Sequence, residues 1–497
     1  MKRTVGIAVA TLLITATVAG CSPSSDEESA RLTITAFEEA TWGDQMRFAV
    51  SKYESAHPDV TIDLQFQPYE GYSELLQTQI VGGTAADIVQ LEPPLLRSLA
   101  STGQLTDLDE MLGEPSAYSD GGSWADTFNP NTIDQYRDGA GAASLVPWSQ
   151  VWVGLFNNES AYEAAGVAEA PATWDEWIDV TEALLDDGQQ PLYVALKNNE
   201  AQTWWMITPM IEAMLRPQTE EINVKDADDF SYSSDDFSST AGQTYTADEL
   251  FVAFEKGIID PAKSPAYRAA IETMLELKPA LNADAATATN ENDFVTTQFI
   301  NGVSSQVMNG SFGFRFIDAE LAKLGTEDAF SYSVTRTPTV TKDNFDGLTE
   351  GGMNPLSGVR NGWAIPASTE NSELAVDFLQ FLTSKELVSQ LYTTEAGEVP
   401  PSDPSTVVGV EYPAEYPEIS FAQEFAEIPL YGFGGPPTFD NKDFDEFVTQ
   451  WAGLWDGSLT VDVFLDARSK SNREALERNL TAFADQVDQD FIDSELR

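Results

Sequence analysis

The chain has 497 residues, 42% of them apolar, which is enough to build two or more domains with cores of their own. Its 81 acidic residues outnumber its 26 basic ones, and they are spread along the whole sequence to give a formal charge of −55. This balance argues against nucleic acid as a partner, because phosphate contacts need lysine and arginine. An anionic membrane surface would also repel the folded body, because both carry negative charge.

Acidic residues spread over the whole sequence are typical of a protein that lives in concentrated salt. There, salt screens the repulsion between charges beyond a few ångströms, and carboxylates hold water at the surface. A calcium-binding protein is the alternative, but its oxygen ligands would surround a tight glycine turn. The acidic stretches 226–236 and 440–446 lack that spacing and predict solvated loops. A single cysteine, Cys21, excludes a disulfide framework, and a single histidine, His57, argues against a Ser-His-Asp triad or a multi-histidine metal site. We therefore expect no metal, no cofactor and no catalytic residue.

The amino terminus predicts a secretory signal at 1–20. Lys2 and Arg3 precede an apolar run that is too short for a comfortable membrane span, and small residues follow it. The small residues immediately before Cys21 resemble a lipobox, which implies cleavage before Cys21 and a lipid anchor on its sulfur. An uncleaved helix with an incidental cysteine is the alternative. Residues 21–30 are then a polar tether between the anchor and the folded body.

Strands and helices alternate early in the chain. Alternating apolar residues predict strands at 32–36, 60–66 and 87–91, and apolar residues at helical spacing predict helices at 46–53 and 72–80. This βαβ pattern indicates an open α/β sheet, in which ligands bind beside the carboxyl ends of the strands.

The stretch 145–185 has the clearest local pattern. An apolar segment with Trp148 and Trp152 leads through a small helix and a proline-marked loop into a second helix. Thr173 and Glu176 have the spacing of a capping box, which satisfies two orphan N–H groups at a helix start. The rest of the chain predicts a strand at 192–196, helices at 204–215, 251–257 and 267–277, an exposed acidic insertion at 220–247, a strand at 332–340, a glycine-rich turn at 351–366, and helices at 373–392 and 445–475.

Several stretches match the motifs of one protein family. They read YESAHPDVTI, GGTAADIV and LASTGQLTDLD in the first block, GLFNN and PATWDE within 145–185, FINGVSSQVMNGSF at 299–312, and GGMNPLSGVRNGWAIP at 351–366. In these stretches the chain resembles the family 1 extracellular solute-binding proteins, the receptors of sugar-type ABC importers. Phe312 stands where that family usually has tryptophan, and Ser304 and Ser305 replace small alanines.

The resemblance implies an α/β, periplasmic-binding-protein-like fold of two lobes, with a discontinuous chain and three crossings near Trp148, Thr335 and Arg360. The expected first lobe is 31–147 plus 331–358, and the expected second lobe is 148–330 plus 359–497. The implied function is extracytoplasmic capture of a solute between the lobes. The implied partners are the permease subunits of an ABC importer. The protein itself is expected to be a monomer that is attached to the membrane only through its lipid anchor.

Sugar binding needs aromatic faces for the pyranose ring, and carboxylates or amides for its hydroxyls. Tryptophans at predicted element ends are the aromatic candidates, whereas those at helical spacing, such as Trp174 and Trp177, predict core positions. Polar candidates follow the predicted strands or lie at the crossings. The ligand-binding candidates are Glu39, Trp42, Glu92, Trp148, Gln150, Trp152, Trp204, Phe312, Arg360, Asn361 and Trp363.

Two other functions stay open at this point. The same fold can bind a non-sugar solute, such as a polyol phosphate, a peptide or a polyamine, and Arg360 leaves an anion possible. A secreted glycosidase would use two carboxylates about 5–9 Å apart. The many acidic residues allow such a pair, but the lipobox and the crossing motifs favour the receptor.

The charge of −55 predicts a stability that depends on salt, since self-repulsion is screened over a few ångströms in molar salt and over much longer distances in dilute buffer. We expect the melting temperature to rise steeply from dilute buffer to molar potassium chloride. Sucrose, which stabilises proteins without screening charge, is the control and should raise it less. An unchanged melting temperature in salt would contradict the prediction.

The lipobox predicts that Cys21 carries the lipid. Cells fed a radioactive fatty acid should label the wild-type protein and not Cys21→Ser, because the sulfur is the attachment point. Equal labelling of the two proteins would rule out this anchor.

Overall fold

The computed structural model describes residues 29–37, 39–69, 71–92, 95–96, 99, 102–119, 121–128, 132–133, 142–197, 202–222, 246–288, 292–325, 329–348, 353, 357–398, 400–413, 441–482, 484 and 487–497. The predicted signal, Cys21 and most of the acidic insertion lie outside these residues. None of the described helices combines the length and the apolar composition that spanning a lipid bilayer requires.

The strands of the first block form as predicted, and further strands follow as far as Ala364. They are β1 (Ala30–Ala36), β2 (Val60–Phe66), β3 (Ile88–Leu91), β4 (Val146–Asn158), β5 (Gln306–Gly310), β6 (Tyr332–Arg336) and β7 (Ser357–Ala364). Their order in the sheet is β2-β1-β3-β7-β4-β5, and β6 also pairs with β4. β1 lies parallel between β2 and β3, whereas β7 is antiparallel to both of its neighbours.

Helices make up much of the rest of the described chain. They are α1 (Glu39–Ala56), α2 (Tyr72–Val81), α3 (Asp109–Gly113), α4 (Glu159–Ala165), α5 (Trp174–Asp186), α6 (Gln202–Leu215), α7 (Thr219–Ile222), α8 (Ala247–Glu255), α9 (Pro265–Met274), α10 (Asn292–Ile300), α11 (Gly313–Leu321), α12 (Ser372–Leu382), α13 (Lys385–Leu391), α14 (Asn441–Asp456), α15 (Val461–Ala482) and α16 (Gln489–Glu495).

The capping box predicted for α5 is confirmed. The Thr173 hydroxyl accepts from the Glu176 N–H, and the Glu176 carboxylate accepts from the Thr173 N–H at 3.1 Å. The strand predicted at 192–196 is wrong. Leu192 makes only isolated bridges, to Leu281 and Gln306, and the N–H groups of Leu192 and Leu196 donate to the carbonyls of Ala280 and Ala285 instead of forming a continuous ladder.

β4 is shared by two groups of strands, and it is buried at every residue. From Val146 to Trp152 it pairs with β7, and from Val153 to Asn158 it pairs with β5 and β6. Separate apolar cores flank the two halves. The first lobe contains β1, β2, β3 and β7, and the second contains β5 and β6.

The expected division of the chain between the lobes needs correction. β6 and Met353 were assigned to the first lobe but belong with the second. β6 pairs with the second half of β4, with Thr335 opposite Leu155, and Met353 packs in the second core. β7, α12 and α13, assigned to the second lobe, belong with the first. The chain therefore changes lobe within β4, between 353 and β7, and after Tyr412, before α14. A helical apolar stripe predicts that a face is buried but does not specify against which core.

The first core holds a cluster of tryptophans at the start of β4. The ring centroids of Trp42 and Trp148 are 4.9 Å apart, and those of Trp148 and Trp363 are 6.0 Å apart. Each of the three residues is only 1% exposed. Rings packed in this way stabilise the junction of the lobes and present no face to a solute in this conformation.

This burial predicts that Trp148→Ala mainly costs stability. Loss of a large buried ring destabilises by about 3–5 kcal/mol through lost transfer energy and the cavity left behind. Urea unfolding in molar salt measures the change. Tyr69→Ala is the control, because that ring is 54% exposed and its removal leaves no comparable cavity. Equal losses in the two variants would contradict the core position of Trp148.

Candidate functional site

Polar and aromatic side chains meet where the parallel strands of the first lobe end. Phe37 follows β1, Tyr69 follows β2 and Glu92 follows β3. The Tyr69 hydroxyl donates to the Glu92 carboxylate, with its oxygen 3.3 and 3.2 Å from the two carboxylate oxygens. The ring of Tyr69 lies 5.6 Å from that of Phe37 and is 54% exposed. These are the carboxyl ends of the strands, where open α/β sheets bind ligands.

β7 adds a cation to this edge. It is antiparallel to β3, with Gly362 opposite Leu91, so that Arg360 lies just beyond the end of β3. Burial raises the pKa of the Glu92 carboxyl, and the nearby Arg360 guanidinium and the Tyr69 hydroxyl oppose that rise. Glu92 was predicted from its place after a strand, and the structure brings it together with Arg360.

The second lobe contributes Phe312, which lies between β5 and α11. The Arg360 guanidinium carbon lies 4.5 Å from the centre of the Phe312 ring, which is a cation–π arrangement. Gly310 permits this placement, because a Cβ at that position would be 2.2 Å from the Phe312 ring. We call Tyr69, Glu92, Phe312 and Arg360 the junction cluster, since they come from both lobes and from β7.

A buried carboxylate, that of Asp403, forms an ion pair with Arg360 of the junction cluster. Asp403 has no exposed surface, and its Oδ2 lies 2.8 Å from Nη1 of Arg360. Its Oδ1 accepts from the Ser311 hydroxyl at 2.6 Å. Neither Tyr69 nor Asp403 is among the residues predicted from the sequence. Asp403 is one acid among 81 acidic residues, and only its distant partners distinguish it.

The other predicted site residues lie elsewhere. The Trp152 ring packs in the second core across Gly154, where a Cβ would be 2.2 Å from it. Gln150 lies on β4 and Asn361 on β7, and both are buried. Asn361 Oδ1 accepts from the Ser149 hydroxyl at 3.3 Å.

Glu39 and Trp204 complete the predicted set. Glu39 is exposed on α1 and forms an ion pair with Arg47. Trp204 lies in α6, but its side chain is outside the described residues. Of the eleven predicted residues, the structure therefore brings Glu92, Phe312 and Arg360 together.

The junction cluster is suited to binding a polar solute. Tyr69 offers an exposed aromatic face, and Glu92 and Arg360 offer an acceptor and donors for hydroxyl groups. Two carboxylates and one guanidinium give the site a formal charge of −1 when Asp403 is included. Because the groups come from both lobes, a solute here would contact both at once.

Solved structures of known binding proteins share this fold. A chitin oligosaccharide binding protein superposes with a TM-score of 0.59 at 18% identity, over 90% of this chain and 100% of that one. A probable secreted solute-binding lipoprotein from Streptomyces coelicolor gives a TM-score of 0.61 at 16% identity, with the same coverage.

Sequence comparison agrees over shorter segments. The alpha-glucosides-binding periplasmic protein AglE of Rhizobium meliloti (strain 1021) is 30% identical over 169 residues, which are 32% of this chain and 35% of AglE. The match thus spans about a third of that relative. The family model described as bacterial extracellular solute-binding protein matches residues 38–388, which is more than half of the chain. The chain therefore belongs to the family of bacterial extracellular solute-binding proteins.

Proposed function

We propose that this protein is the extracytoplasmic receptor of an ABC importer and that it captures a neutral sugar or oligosaccharide at the junction cluster. The observation that carries the proposal is the convergence of Tyr69, Glu92 and Arg360 beside Phe312, from both lobes and β7. A solute that bridges these groups favours the closed arrangement of the lobes, which is the form a permease recognises by shape.

The charge of the site supports a neutral solute over an anion. Arg360 is the cation of the cluster, and the buried Asp403 carboxylate already balances it at 2.8 Å. Glu92 leaves the site with a formal charge of −1, which opposes a polyol phosphate. The names of similar proteins point the same way, since AglE is described as binding alpha-glucosides and a structural neighbour as binding a chitin oligosaccharide. A polyamine is the non-sugar alternative that this charge would tolerate.

The carboxylates of the site support binding over glycoside hydrolysis. A glycosidase needs two carboxyl groups that face the scissile bond. Asp403 is fully buried and holds Ser311 and Arg360, so it cannot face a substrate in this conformation. The family consists of binding proteins, which agrees with this assignment.

The membrane and habitat assignments belong to the same proposal. A lipid on Cys21 would hold the receptor, as a monomer, near the permease subunits that receive the solute. The acidic surface would keep it soluble in a salt-rich exterior.

The proposal predicts that Tyr69→Ala and Glu92→Gln each weaken solute binding. A thermal-shift panel of mono- and oligosaccharides and polyamines in molar salt first selects the solute, and calorimetry then measures its affinity. Loss of an aromatic anchor costs about 1–3 kcal/mol, which corresponds to roughly 5- to 150-fold weaker binding.

The matched control for Glu92→Gln is Glu272→Gln, the same chemical change at an exposed residue of α9 that pairs with Arg268. It should bind as the wild type does. Full affinity in both Tyr69→Ala and Glu92→Gln would remove the solute from the junction cluster. Hydrolysis of the selected sugar by the wild type, abolished in Glu92→Gln, would favour the glycosidase.

A further inference from the structure

One segment beside β4 ties the two lobes together, and we call residues 400–407 the hinge strap. On the first-lobe side, Pro404 O accepts from the Gln150 N–H at 2.8 Å, and the Thr406 N–H donates to Trp148 O at 3.2 Å. On the second-lobe side, the Arg315 guanidinium donates to Pro400 O at 3.0 and 2.6 Å. The strap thus bonds to both lobes within a few residues.

Asp403 occupies the middle of the hinge strap, and its three bonds join the strap to the rest of the junction. Its carboxylate binds Ser311 of the second lobe and Arg360 of β7, and its backbone carbonyl accepts from the Tyr392 hydroxyl at 2.6 Å. A carboxylate with no exposed surface stays charged only when cations and hydrogen-bond donors compensate its lost hydration. Arg360 supplies the compensating charge, and the pair therefore holds together.

This pairing has a consequence for the solute. We propose that Asp403 sets the charge selectivity of the site: by holding and neutralising Arg360, it makes the junction cluster accept neutral solutes and reject anionic ones. The inference rests on the proposed function. Asp403 is buried and does not touch the solute, so it acts as a positioning residue through Arg360.

The geometry explains how the selectivity would arise. Arginine recognises carboxylates and phosphates through several N–H groups at once, and it does so best when no other anion occupies them. In this site Asp403 binds Nη1, while Phe312 covers one face of the guanidinium. An incoming anion would find Nη1 already bonded to a carboxylate that has no access to water, and the negative charge of Asp403 and Glu92 would oppose its approach.

Two variants with the same local charge separate this role from a simple charge effect. Asp403→Asn and Glu92→Gln each change the formal charge of the site from −1 to 0. Asp403→Asn also releases the ion pair, while its amide oxygen can still accept from Ser311. Glu92→Gln leaves Arg360 bound to Asp403.

The experiment measures binding of inorganic phosphate and of the neutral sugar selected by the panel, on the full chain in molar potassium chloride. We expect Asp403→Asn to bind phosphate at least about tenfold more tightly than the wild type, from one added hydrogen-bonded ion pair. Glu92→Gln should show little gain. Adding Arg360→Gln to Asp403→Asn should abolish the gain, because Arg360 is then absent.

Each outcome decides something. A folded Asp403→Asn variant with the phosphate affinity of the wild type overturns the inference. If that variant does not fold, a gain of about tenfold or more in Glu92→Gln overturns the inference, because Arg360 would then bind anions while paired with Asp403. A much smaller gain in Glu92→Gln supports it, because the repulsion by Glu92 is then gone and Arg360 still does not bind phosphate. Ser311→Ala, which removes a bond to Asp403 but not its charge, should leave the phosphate affinity unchanged. A wild type that binds no sugar in the panel rejects the proposed function, and the phosphate comparison still tests Asp403.

Discussion

The whole arrangement depends on the hydrogen bonding of one strand. β4 is buried along its entire length from Val146 to Asn158, and a buried backbone must satisfy its N–H and C=O groups. β7 does so for the first half, and β5 and β6 for the second. β7 packs in the cores of the first lobe, and β5 and β6 pack in those of the second, so the two lobes share β4 as a common strand. The junction cluster lies where these partners meet.

The same strand separates the residues that hold the fold from those that can meet a solute. Trp148 on β4 packs with Trp42 and Trp363, and all three rings are fully buried. Tyr69, in a loop after an outer strand, is more than half exposed. Large apolar indoles gain most by burial, whereas a tyrosine in a loop can present one face to water and still bond through its hydroxyl. The buried tryptophans thus stabilise the fold, and the binding that we propose uses a different aromatic residue.

Charge is organised on two scales in this protein. Over the whole molecule, 81 acidic residues against 26 basic ones produce a self-repulsion whose strength depends on salt. At the junction, one guanidinium lies near two carboxylates and an aromatic ring, and the carboxylate bonded to it, that of Asp403, is fully buried. There the same Coulomb interaction is much less screened. The local pairing of Arg360 with Asp403 therefore influences the site in a way that the large net charge does not.

The sequence was enough to predict the strands of the first block, the start of α5, and the family. These follow from neighbours in the chain: alternation predicts β1 to β3, and the spacing of Thr173 and Glu176 predicts the start of α5. Three features became visible only in the folded chain: α12 and α13 join the first core, the tryptophans around Trp148 are buried, and Arg360 pairs with Asp403, 43 residues away. Periodicity specifies that one face of an element is buried, but the partner of that face depends on where distant segments pack.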